Sequence, residues 1–221
     1  MKTKNVALTL YFISCIIAVI AGLLNDDSLL LFVKPIVIPA IYFYYLLAKK
    51  SKPSKWVALF FILNFAGDTV LLLDFYALHY VLLPYFFAYS IMFGFAIAEL
   101  RKLKFDAFNM LVGGFIFLFL ITMMIMVLQS FPVEKRSLII PVSIYGLQLF
   151  AFAAMSGYIF FSTSSNKAFY LIIGALICVI SDFFYVLFTV LDLFPDFYFF
   201  DIGLQLFSYY FITKYFILRK N

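Results

Sequence analysis

Windows of about 20 mostly apolar residues recur from one end of this chain to the other, and that recurrence decides its fold class. A helix needs about 20 such residues to cross about 30 Å of hydrocarbon. Eight windows are read, at residues 5–24, 28–48, 55–73, 78–98, 108–129, 137–161, 167–190 and 198–218. The predicted architecture is therefore an all-α, polytopic transmembrane helical bundle of eight spans, with residues 1–221 forming one transmembrane domain. Barrel strands are excluded, because they are about ten residues of alternating polarity and these runs do not alternate. With 67% hydrophobic and 12% charged residues, a soluble interaction module is excluded as well.

The net charge of +5 would suit nucleic acid, but its distribution fits membrane topology instead. With the N-terminus inside, twelve Lys and Arg fall in inside segments, and only Lys135 and Arg136 fall outside. That asymmetry predicts cytoplasmic termini, as the positive-inside rule and an even number of spans require. The expected location is a bacterial inner membrane. MKTK followed by an apolar run resembles a signal peptide, with Val19-Ile20-Ala21 as a cleavage site. An uncleaved first span is the simpler reading, since no hydrophilic region follows. Cys15 and Cys178 lie in apolar spans as small hydrophobes. Trp56, Tyr42 to Tyr45 and the FYFF run at 197–200 read as interfacial anchors rather than a cofactor box.

Charges within spans are costly and mark function. Lys34, Asn64, Asp68, Asp182 and Lys214 lie inside spans, Asp201 near an outer edge and Glu99 at an inner one. Lys214 and Glu99 are expected to snorkel to the cytosolic surface. Asp68 follows Lys55 by 13 residues and Asp182 follows Lys167 by 15. At about 1.5 Å per residue, both sit roughly 20 Å from the cytosolic edge. Lys34, about 9 Å below the outer edge by the same measure, shares their level. Two readings stay open: a structural ion pair of Lys34 with one Asp, or a functional pair of carboxyls. Asn64 shares a helix face with Asp68, and Gly67 permits close approach. Pro35 and Pro39 free the carbonyls of Leu31 and Pro35, so the second span is expected to be broken and to line a cavity.

IPAIYF at 38–43 is similar to IPVSIYG at 140–146, NFAGD to CVISD, and FAYS to FSYY. These matches suggest a parallel repeat of spans 1–4 and 5–8, which would place Asp68 and Asp182 symmetrically about one cavity.

The segments KPIVIPA, NFAGDTVLLL, PVSIYG, GALICVISDFFYVL and SYYFITKYFI, in that order and spacing, resemble the YhhN-like lysoplasmalogenase family over nearly the whole chain. The resemblance implies an eight-span membrane enzyme that hydrolyses the vinyl ether bond of lysoplasmalogens to a fatty aldehyde and a glycerophospho head group. It implies Asp68 and Asp182 as catalytic residues and matches Lys34 and Pro35 to the family's Lys-Pro. Tyr185 and Tyr209, in the matching segments, join Lys34 and Asn64 as expected substrate-binding residues. The fourth span departs from the family's Gly-His pair followed by Tyr, reading LLPYFFAYS with Pro84.

His79, the only histidine, reads as a loop residue rather than a ligand, and no metal or cofactor is expected. Vinyl ether cleavage needs one neutral acid and one carboxylate, much as glycoside hydrolysis does. Lys34 could hold the head-group phosphate as a point charge. The expected partners are a lysophospholipid substrate and the bilayer. The alternative is a transporter or lipid-binding protein in which the Asp pair binds protons or cations.

Overall fold

The structure is a computed structural model that describes residues 3–73, 78–193 and 197–219. The helices are α1 (Thr3–Leu24), α2 (Asp27–Ala48), α3 (Lys55–Leu72), α4 (Leu78–Leu100), α5 (Ala107–Gln129), α6 (Ile139–Thr163), α7 (Asn166–Tyr185) and α8 (Tyr198–Leu218). A 3₁₀ turn, Val133–Leu138, leads into α6, and α7 runs on as a π-helical segment, Val186–Val190. No strand occurs among the described residues.

Caps set several of the boundaries by satisfying first-turn amides. The Asp26 carboxylate accepts from Leu29 N, Asp106 from Asn109 N, and the Ser165 hydroxyl from Ala168 N. Ser164 closes α6 in the left-handed conformation at φ 45°. The α2 helix passes through both prolines without a break, contrary to the expectation, and its only buried charged side chain is Lys34.

Among the described residues, seven helices are long and apolar enough to cross a membrane, and the chain is a multi-pass integral membrane protein. The remaining helix, α8, has spanning length but carries Asp201, Gln205 and Lys214. It can do so because it packs against α1, α2 and α7, so protein rather than lipid surrounds its polar groups. At the other extreme, α5 packs closely only on α6. It buries just Gly113 and Leu120, leaving Phe108, Leu111, Phe115 and Leu118 on the outer surface.

Helix neighbours run in the same order in the two halves: α1–α2, α2–α3 and α3–α4, then α5–α6, α6–α7 and α7–α8, with α2–α8 facing α4–α6. The halves differ at one contact. The α1 and α8 helices pack closely, with Gly22 under Ile202 and the Tyr11 hydroxyl donating to the Leu206 carbonyl, whereas α4 and α5 do not. Space is left on the α4–α5 side.

The cation-rich ends of α2, α4, α7 and α8 meet around Glu99. Its carboxylate receives Lys167 Nζ at 2.7 Å, with Lys102 at 3.5 Å and Arg219 at 3.8 Å. Lys49 Nζ donates to the Phe216 carbonyl at 2.8 Å. Glu99 is thus buried among cations rather than snorkelled, with Oε2 accepting from Lys167 and Oε1 without a hydrogen-bond partner. Lys214 lies over the rings of Tyr44 and Tyr210.

Candidate active site

A cavity of about 290 Å³ lies between α4, α5, α6, α7 and α8, on the side where α4 and α5 stand apart. Its walls are mostly apolar, with Leu82, Phe119, Met123, Leu149, Phe150 and Phe183 among them. Its polar lining residues are Tyr85, Tyr145, Asp182, Tyr185, Asp201 and Gln205. An apolar chamber with a few converging polar groups is the usual form of a small-molecule or lipid site.

Each polar residue is positioned by a different element. Tyr85 follows Pro84 in α4, and its ring lies on Gly67 of α3, where an added Cβ would come within 2.8 Å of it. Asp182 lies just over two turns beyond Gly174, at which α7 approaches Ile212 of α8. Tyr145 of α6 donates its hydroxyl to Asp182 Oδ2 at 2.6 Å. On α8, Asp201, Gln205 and Tyr209 recur every four residues and so share a face.

Asp68 lies behind this wall. It is 3% exposed and is not among the lining residues. Its Oδ1 accepts from the Tyr85 hydroxyl at 2.5 Å and Gln205 Nε2 at 3.0 Å, and its Oδ2 from the Tyr209 hydroxyl at 3.3 Å. Gln205 also donates to the Tyr85 oxygen at 2.9 Å. Lys34 Nζ stands 3.8 Å from Asp68 Oδ1. A buried charge tolerates such a position only when paired and hydrogen-bonded, and Asp68 is both.

Among the expected site residues, the structure brings Asp182 and Tyr185 to the cavity. Lys34, Asn64, Asp68 and Tyr209 do not line it. Lys34 is 2% exposed and stands against Asp68, the arrangement of the ion-pair reading. No residue of α2 lines this cavity. Asn64 is buried one turn from Asp68; its Nδ2 donates to its own helix at the Phe60 carbonyl, while its Oδ1 has no hydrogen-bond partner. Tyr209 contributes one bond to Asp68.

The backbone at His79 lies in the first turn of α4 rather than in a loop, and its side chain is outside the described residues.

The sequence reading missed Tyr85, Tyr145, Asp201 and Gln205 as site residues. Their signal was present in part: a carboxylate, an amide and a phenol at four-residue spacing on α8 form a polar stripe that lipid would not tolerate.

Of the layer expected from residue counts, Lys34 and Asp68 meet, and Gln205, bonded to Asp68, lines the cavity that Asp182 also lines. No match was found among curated proteins or solved structures. Residues 29–221 match the YhhN family, and the chain belongs to it.

Proposed function

We propose that this protein hydrolyses the vinyl ether bond of lysoplasmalogens, releasing a fatty aldehyde and a glycerophospho head group. The observation that carries this reading is a carboxyl group, Asp182, among the few polar residues that line a mostly apolar chamber inside a membrane protein of this family. The alkenyl chain would occupy the apolar walls, bringing its enol ether to the carboxyl.

An enol ether reacts by protonation at its β-carbon, which leaves an oxocarbenium ion for water to attack. Asp182 is the proton donor, held in orientation by the Tyr145 hydroxyl. General acid catalysis of this kind contributes about 10²–10⁴-fold. Asp68 acts through Tyr85 and Gln205, fixing two side chains of the wall that Asp182 also lines. Tyr185 completes the wall next to the head group.

The transporter alternative requires a polar path to the cation-rich side. Between the cavity layer and that side stand Tyr45, Phe60, Phe61, Phe95 and Phe216, with neighbouring ring centroids 5.3 to 6.4 Å apart. This packed aromatic cluster of α2, α3, α4 and α8 favours the hydrolase reading over a polar path beneath Asp68.

The test is to incubate purified full-length protein with lysoplasmalogens carrying ethanolamine or choline head groups and to measure free aldehyde. Wild-type protein should release it, and Asp182→Asn, which keeps shape and loses the proton, should not. Absence of aldehyde from wild type with both substrates would sink the reading.

A further inference from the structure

Two carboxyls line the cavity, and neither is Asp68: one is Asp182 of α7, the other Asp201 of α8. Enol ether hydrolysis moves protons in two directions. One goes to carbon, and another must leave the attacking water, so a donor and an acceptor have to reach the same substrate.

The local geometry provides for both. Ser181 and Asp182 are consecutive on α7, and the Ser181 hydroxyl donates to Asp201 Oδ1 at 2.7 Å. One dipeptide therefore supplies a cavity carboxyl and the clamp on its neighbour. Among the described residues, the side-chain donors reach Asp182 Oδ2 and Asp201 Oδ1, which leaves Asp182 Oδ1 and Asp201 Oδ2 open to a further partner. Asp68 has no such freedom, since its oxygens are taken by Tyr85, Gln205 and Tyr209.

We propose that Asp201 is the second catalytic carboxyl of this cavity, a role that rests on the hydrolase reading above. Asp182 gives its proton to the β-carbon, and the electrons of the double bond form the new C–H bond. Water bonds through oxygen to the oxocarbenium carbon as Asp201 takes one of its protons. In the hemiacetal that results, the hydroxyl proton passes to Asp182 while the bond to the glyceryl oxygen breaks. Asp201 returns its proton to that leaving oxygen. The aldehyde and the free glyceryl hydroxyl depart, and both carboxyls end as they began.

The experiment compares kcat, KM and pH profiles of the full-length protein with a lysoplasmalogen bearing an ethanolamine head group. In Asp201→Asn, kcat should fall by about 10²–10⁴-fold with KM little changed, and one limb of the bell-shaped profile should disappear. Asp201→Ala should regain aldehyde release on addition of formate, which a merely structural residue would not allow. If Asp201→Asn fails to fold, Ser181→Ala carries the test, since loss of the orienting bond should lower kcat and leave KM alone. An active wild type whose Asp201 and Ser181 variants retain full kcat would overturn the role of Asp201 and leave the hydrolase reading standing. A wild type that releases no aldehyde would overturn both.

Discussion

Lys34 and Asp68 form an ion pair, with 3.8 Å between Nζ and Oδ1 and side chains only 1% and 5% exposed. Removing one partner of a buried pair strands the other charge, at a cost of about 3–5 kcal/mol. Lys34→Met is therefore expected to lower stability by about that amount, and the double variant Lys34→Met, Asp68→Asn to recover part of it. Thermal unfolding in detergent checks this. Full stability of Lys34→Met would mean that the pair holds nothing together.

Gly67 is the platform on which the Tyr85 ring rests. A methyl group there would meet Tyr85 Cζ at 2.8 Å. Gly67→Ala should displace the Tyr85 hydroxyl from Asp68 and destabilise the protein by about 1–3 kcal/mol, as overpacking does. Displacing a wall residue by about 1 Å should also lower kcat by up to about 100-fold. Aldehyde release and unfolding temperature measured together would show whether both effects occur; an unchanged kcat would mean that Tyr85 does not matter to the wall.

Glu99 gathers Lys167, Lys102 and Arg219 from three places in the chain. Glu99→Gln should cost about 1–3 kcal/mol, because cations near it lose their carboxylate. The effect should be concentrated at the end of α8, where Arg219 and the Lys49 contacts hold the last turn. Hydrogen exchange should therefore speed up at residues 215–219 in this variant. Uniform exchange across α8 would argue against local anchoring.

For topology, Lys52 and Glu134 are both exposed and lie at opposite ends of the bundle. In a background with Cys15 and Cys178 replaced, an impermeant maleimide applied to intact cells should label Glu134→Cys and spare Lys52→Cys. The reverse pattern would invert the orientation inferred from the distribution of Lys and Arg.

Much of the fold is legible in the sequence, for a physical reason. Lipid leaves the backbone no partner but itself, so each apolar run of spanning length must be a helix. The expected eighth window, 198–218, coincides with Tyr198–Leu218 even though that helix is the most polar of the set. Depth was readable too, because a constant rise per residue puts Lys34 and Asp68 at one level, where they meet.

What the sequence alone could not decide is which way each polar side chain faces and which neighbour it finds. Residue counts give height along a helix, not rotation about it, so Asp68 and Asp182 looked equivalent. Packing separates them. Asp68 turns toward Lys34, Tyr85 and Gln205, while Asp182 turns into a chamber that exists because α4 and α5 do not close against each other. Asp201 looked like an edge residue by its position in the chain, and the close approach of α7 and α8 makes it a cavity carboxyl. Those outcomes depend on contacts between residues far apart in sequence, such as the 137 positions between Asp68 and Gln205, and only the folded bundle brings them together.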